Sequence, residues 1–398
     1  MQTFTPLQYM QIDIANLYGK DKLPWTERLA WFEENQDRLS ALVPEADKPH
    51  QFYAAIDAYS KAIKGEVNHH PIGLDATASG TQVLSVLCCD RKAASYCNVL
   101  DIGTRADAYT LLYEKFKEFV PEDTHITRAD LKQAIMTSFY GSEKCPGDIF
   151  GKYYEVFCKV MEQECPLIWQ IKNKFITDLN PEAYGFDWIM PDNFHVHIDL
   201  KDNVEHSFSF MGRDFTFETK EKMPIPGTKC VPADCAHSLD SLVLREVTTL
   251  AMYNPTQIQR VRDLLQGKKN SSYKNQKNED MVANLLQRYE ETNFLSARIL
   301  DYLDASTIKK VPEEEVKELL SYIPPKPFQV TACHDCYNVL PNYGNDVRKL
   351  YTYNLAKIAR SNLLYYLQRA VLPSDAAKMQ KGDPDMWKEV LNAEYTLS

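Results

Sequence analysis

Residues 126–142 constrain this chain most, because one short stretch carries a helix start, a helix stop and a fixed spacing of unlike side chains. Thr127 followed by Asp130 reads as an N-cap with an acid in the first turn. Gly141 is a natural stop. Between them Arg128, Lys132, Met136 and Tyr140 stand four residues apart, so on a helix they form one slowly winding stripe. At 1.5 Å per residue, Lys132 and Tyr140 lie roughly 12 Å apart along the axis. That is the span from the phosphates of a nucleoside triphosphate to its base. Two cations at one end suit phosphate oxygens, and a ring followed by glycine suits a base. Taken alone, the stretch reads first as an amphipathic helix with an exposed basic pair.

A chain of 398 residues has room for a large core and two or three lobes. No apolar run approaches the roughly 20 residues that span a bilayer, so no membrane partner is expected. Residues 1–6 lack the basic and apolar regions of a signal peptide. The ten cysteines, including adjacent Cys88 and Cys89, have no disulfide-framework spacing, which points to a reducing cytoplasm. A net charge of −10 argues against wholesale coating of nucleic acid but leaves room for a local basic groove. One basic stretch holds Arg260, Arg262, Lys268, Lys269, Lys274 and Lys277, with Asp263 the only acid among them.

Residues 1–65 read as helical, with Leu29 and Phe32 at helical spacing after Pro24 and a second stripe of Phe52, Ile56, Tyr59 and Ile63. The first strand is expected at 71–75. It opens into a small-residue turn at 76–80 and a helix over 82–89, which places Asp75 at a strand end. Further helices are expected over 105–119 and 149–179. A hairpin over 188–198 turns at Pro191, Asp192 and Asn193, and a projecting hairpin over 207–217 turns at Gly212. A proline-bounded connection, 224–232, leads to His237, Ser238 and Asp240 and a helix beyond them. Residues 255–325 are charged and mostly helical, with a polar, mobile segment at 267–279. Residues 328–340 read as strand, tight turn, strand, with His334 and Asp335 in the turn.

Asp75 and Asp335 therefore both sit at predicted strand ends. Two such carboxylates brought together repel unless cations lie between them. Two divalent metals solve this, and magnesium suits it because it binds a few carboxylates plus substrate phosphates. With the phosphate-spaced helix, this arrangement amounts to nucleotidyl transfer. Singly, Asp75 also fits a helix N-cap and Asp335 a turn residue. Cys333 and Cys336 form a Cys-x-x-Cys around Asp335, but no second pair has zinc-like spacing. His69 and His70 read as a solvated strand entry.

The run from Asp75 to Gln82, with Asp90 after it, resembles motif A of the single-subunit phage and mitochondrial RNA polymerases. Arg128, Lys132, Tyr140, Gly141 and Ser142 resemble their motif B, and His334 with Asp335 resembles motif C. His237, Ser238 and Asp240 are similar to an element beside the growing RNA end. Val390, Leu391 and residues 395–398 are similar to a carboxy-terminal foot. Residues 22–35 also match a helix upstream of motif A.

The resemblance implies an α+β, mostly helical fold: a right-hand polymerase palm and fingers without a thumb or amino-terminal domain of its own. Residues 1–70 would be a helical lead-in on the palm, 71–120 palm with motif A, and 121–236 fingers with motif B and the projecting hairpin. Residues 237–398 would be palm with motif C, an insertion at about 255–325 and the foot. Two Mg2+ ions would sit on Asp75, Asp335 and the Ala76 backbone. Arg128 and Lys132 would hold the triphosphate, and Lys132 could protonate the departing pyrophosphate. Tyr140 and Gly141 would gate the nucleotide site, His237 would meet the sugar or RNA end, and His334 would support the metals. The small Ala78–Gln82 region, and Cys336 where DNA-synthesising relatives tend to have glutamate, favour ribonucleotides.

Gln133 replaces a second basic residue of close relatives. The family's long amino-terminal portion has no counterpart here, so the chain resembles the catalytic subunit of a split, two-chain phage RNA polymerase of the enquatro type. A second polypeptide would supply the missing parts in the cytoplasm of an infected bacterial host. DNA template, RNA product and nucleoside triphosphates are the other expected partners. The hairpin at 207–217 occupies the family's specificity-loop region and is the expected promoter reader. The rival readings are a DNA polymerase-like relative and a non-catalytic nucleic-acid-binding regulatory subunit.

Overall fold

The computed structural model describes residues 1–268 and 276–398. The fold is α+β and mostly helical, as expected. Among the described residues, seven strands form three small antiparallel sheets. β1 (Ile72–Asp75), β6 (Thr331–Cys333) and β7 (Cys336–Val339) make one sheet in the order β1-β7-β6. β2 (Gly185–Ile189) pairs with β3 (His195–Asp199), and β4 (Lys201–Phe210) with β5 (Arg213–Lys222).

The three-stranded sheet positions the site. Side chains alternate across it, so Ile72, Leu74, Tyr337 and Val339 point into the core. Gly73, Asp75, Cys336 and Asn338 share the other, open face. Behind the sheet, the helices Ser79–Cys88, Cys230–Ala251 and Gly344–Arg360 pack on one another. From Thr81 to Cys88 every side chain of the first is buried, as befits a helix enclosed by its neighbours.

The amino-terminal helices Pro6–Ala15, Trp25–Asn35 and Pro49–Ile63 enclose a second apolar cluster that includes Ile14, Phe32, Leu42 and Phe52. The expected stripe holds at three of its four residues. Phe52 is buried and Ile56 and Tyr59 pack against the cluster, but Ile63 is 58 % exposed because the helix runs past the cluster's edge. Its fully buried line is Phe52, Ala55 and Ala58.

Three boundaries differ from expectation. The helix expected from residue 82 starts at Ser79, because Ala78 takes a left-handed φ of 73° and turns the chain out of β1 within a few residues. The helix expected over 105–119 runs Ala108–Lys117, capped by Asp107. His237 and Asp240 do not precede a helix but lie inside Cys230–Ala251. Pro232 does not prevent this, since the first turn of a helix has no intrahelical acceptor for its N–H groups.

The projecting hairpin is longer than 207–217. Its turn is Met211-Gly212, with φ of 50° and 72°, the two left-handed residues that a type I′ turn requires. Phe208, Phe210, Phe215 and Phe217 are each 44–58 % exposed.

Residues 255–325 are helical as expected, in Pro255–Leu265, Gln276–Thr292 and Glu313–Tyr322. Ile258, Val261, Val282 and Leu285 join the main core, so this region is built into the fold. Of the expected mobile segment, 269–275 lie outside the described residues and the final part is helical. Lys269, Lys274 and the Lys277 side chain of the basic stretch likewise lie outside them. Among the described residues no helix is long and apolar enough to cross a membrane.

Candidate active site

β1 and β7 pair in a register that sets Asp75 opposite Cys336, the residue after Asp335. The Ala76 N–H donates to the Asp335 carbonyl at 3.1 Å, so the two aspartates are joined by backbone as well as by the sheet. A left-handed φ of 56° at His334 lets the two-residue turn close and carry Asp335. Partial burial and then the charge of Asp335 hold the Asp75 carboxyl above its ordinary range. Two strand ends 260 residues apart in sequence thus meet, as expected.

The chain's last residues complete this edge. Ser398 N–H donates to the Asp75 carbonyl at 2.9 Å, and Ala76 bridges Leu397. Behind them Gln82, fully buried, donates to the carbonyls of Cys97 and Thr396 and accepts from the Tyr351 hydroxyl at 2.7 Å.

The helix Arg128–Phe139 begins at Thr127 with a reciprocal cap between Thr127 and Asp130, and Gly141 follows its end at φ 87°. Its stripe is divided in the fold. Arg128 pairs with Asp107 and donates to the Thr110 hydroxyl at 2.7 Å. Burial raises the Asp107 carboxyl, but hydrogen bonds from Thr110 and Arg128 outweigh it and leave the group below its ordinary range. Lys132 is exposed, its ammonium 5.3 Å from the centre of the Tyr109 ring. Gln133 is also exposed.

Met136 and Tyr140 line a cavity of about 80 Å³ with Ser79, Gly80, Tyr109 and Asp335. The Tyr140 ring lies 4.9 Å from that of His237, which is itself exposed. So Asp335, Tyr140 and His237 converge as expected, while Asp75 opens onto a second cavity of about 660 Å³. Lys22, Lys48, Arg105 and Ser398 line that second cavity too. His70 also reaches it, but beside Asp13 at 3.5 Å. Among the described residues no three His, Cys, Asp or Glu side chains are grouped to hold a metal unaided. The Ala76 carbonyl already accepts from the Ala78 N–H.

Asp240 was not singled out for a role by sequence reasoning, yet it accepts from the Ser79 hydroxyl at 3.3 Å. Burial and then Asp335 push its carboxyl up to about 7. Burial, Asp240 and Asp335 push the Tyr140 phenol up to about 12. The signal for Asp240 is its spacing: three residues after His237 on one helix, hence on nearly the same face.

Two expected outcomes arise here. A Cβ on Gly80 would stand 2.6 Å from the Tyr140 hydroxyl. Gly80→Ala therefore displaces the Tyr140 ring from the cavity, and near-ultraviolet circular dichroism should register the move with little change in melting temperature.

The second concerns pH. Asp240 is neutral in both states well below pH 4. Between the ordinary carboxyl value of 3.8 and about 7, only the folded chain keeps this proton. Stability from this group therefore falls as pH rises through that window, by at most about 1.4 kcal/mol per unit. Urea midpoints at pH 5 and pH 7 should differ less in Asp240→Asn than in the unaltered protein.

Residues 4–147 match the family model described as DNA-dependent RNA polymerase. That span includes Asp75, Arg128, Lys132 and Tyr140 but neither His237 nor Asp335. A probable DNA-directed RNA polymerase of Gelasinospora sp. is 23 % identical over 95 % of this chain and 44 % of its own length. The mitochondrial DNA-directed RNA polymerase of Schizosaccharomyces pombe is 26 % identical over 34 % of this chain and 14 % of its own length. T7 RNA polymerase of Escherichia phage T7 is 28 % identical over 29 % and 14 %. The chain spans less than half the length of these curated relatives. The order of the motifs and these matches agree: over these spans the chain is similar to the single-subunit DNA-dependent RNA polymerases of phages and mitochondria.

Proposed function

We propose that this chain carries the catalytic centre of a DNA-dependent RNA polymerase, adding ribonucleotides to an RNA 3′ end on a DNA template. The observation that carries the reading is the junction of Asp75 and Asp335 across β1 and β7, beside the Tyr140 cavity. In this reading β1, β6, β7 and their helices are the palm, and Arg128–Phe139 belongs to the fingers.

Two carboxylates, one of them raised by burial and then by the other's charge, fit magnesium, which completes its shell with substrate phosphates and water. Bound Mg2+ would activate the attacking hydroxyl and stabilise the leaving pyrophosphate. Asp75 and Asp335 would hold the two ions, with the Ala76 carbonyl's second lone pair available to one of them. Lys132, exposed and paired with no acid among the described residues, takes the triphosphate and donates a proton to pyrophosphate. Arg128 is tied to Asp107 and Thr110, so it acts by holding the helix against Tyr109 and meets phosphate only by exchanging that partner. Tyr140 and His237 bracket the base and sugar, and His334 steadies the turn. Ser79, Gly80 and Thr81 leave room for a 2′-hydroxyl and supply hydroxyls beside it.

A second polypeptide carrying thumb and amino-terminal portions is proposed as partner, and co-purification tests it. The function itself is tested by offering ribonucleotides and deoxyribonucleotides in separate reactions with an RNA primer on a DNA template. Preferential ribonucleotide extension is expected, and equal or better use of deoxyribonucleotides would shift the reading to a DNA polymerase.

A further inference from the structure

Cys333 and Cys336 flank the turn bearing His334 and Asp335, and no step above uses them. They are direct partners in the β6–β7 register, the closing pair of a two-residue hairpin. Facing residues of such a pair stand with Cα atoms about 5.5 Å apart and side chains on one face. Disulfides form at Cα separations of about 4.4–6.8 Å. Both residues line the 660 Å³ cavity at Asp75. Both thiols are free, and of the ten cysteines Cys333 alone is exposed. Among the described residues no third ligand completes a metal site around them.

We propose that Cys333 and Cys336 form a modification site for small-molecule disulfides, at which closing a Cys333–Cys336 bond silences the site by re-aiming Asp335. The silencing rests on the polymerase reading; the bond does not. Cys333, the accessible thiol, attacks one sulfur of oxidised glutathione, giving a mixed disulfide and one glutathione. Cys336 then attacks the Cys333 sulfur and releases the second. Two protein thiols are oxidised, one glutathione disulfide is reduced, and both protons leave on the glutathione thiols.

Closing the bond draws facing Cβ atoms together to about 3.8 Å. The strands pinch, and the turn that carries Asp335 and accepts the Ala76 N–H must rotate. Exchange with an added dithiol reopens the bond, which makes the site reversible.

The test treats the purified protein with excess oxidised glutathione, blocks remaining thiols with iodoacetamide, and measures both peptide mass and RNA primer extension. The peptide carrying both residues should be two hydrogens lighter with neither thiol alkylated. Extension should fall about 100-fold, as expected for a catalytic group displaced by an ångström, and dithiothreitol should restore both. Cys333→Ser, treated identically, should keep its own untreated rate. Two alkylated thiols after oxidant, or a closed bond with undiminished extension, would overturn the proposal. A reduced protein that extends nothing even with any polypeptide that co-purifies would instead remove the polymerase reading, while peptide mass still decides whether the bond forms.

Discussion

Asp335→Asn should lower RNA primer extension by about 1,000-fold or more, with kcat rather than KM carrying the loss. Asparagine keeps the size of the side chain and removes its charge, so the β6–β7 turn and its hydrogen bond from Ala76 should persist. Asp75 then loses a neighbouring charge that raises its carboxyl. The variant should consequently fold at least as well as the unaltered protein while failing to hold a divalent cation. Asp75→Asn should behave alike. Extension at an unchanged rate by either variant would detach the aspartates from the chemistry.

Lys357→Met should destabilise the fold by about 3–5 kcal/mol, because it strands a carboxylate inside the core. Lys357 and Glu246 are 3 % and 1 % exposed, and the ammonium lies 3.1 Å from the carboxylate. Glu246 also accepts from the Ser296 hydroxyl and the Ala297 N–H, and Lys357 donates to the Leu295 carbonyl at 2.8 Å. The pair therefore clamps the helices Cys230–Ala251 and Gly344–Arg360 to the chain between the expected insertion's helices. Burial holds the Lys357 ammonium below its ordinary range, against the pull of Glu246. Adding Glu246→Gln removes the stranded charge and should recover part of the loss. Urea denaturation of the single and double variants measures both effects, and a single variant as stable as the unaltered protein would contradict the clamp.

Where the fold was legible in sequence, the signal was local. Thr127, Asp130 and Gly141 define a helix from within 15 residues, and the alternation around Gly212 defines a hairpin. Asp75 and Asp335 were legible because each stands where a predicted strand ends. What stayed hidden depends on distant partners. Nothing within four residues of Arg128 shows that Asp107 holds it, so the cation stripe looked freer than it is. Asp240 gains its neutral form only by burial beside Ser79 and Asp335, which no neighbour in sequence announces. The left-handed Ala78, which starts the next helix early, is a residue type that ordinarily avoids that conformation. The pairing of Ser398 and Leu397 with 75–76 sets the carboxy-terminal foot, which the resemblance implies, against the end of β1, while residue spacing alone carries no trace of it.

The most direct measurement of the central claim is single-nucleotide addition to an RNA primer paired with a DNA template, using the purified protein with any polypeptide that co-purifies. Changing the first unpaired template base should change which ribonucleotide is added, with incorporation dependent on Mg2+ and absent in Asp335→Asn. Addition that ignores the template base, or that survives Asp335→Asn, would contradict the account.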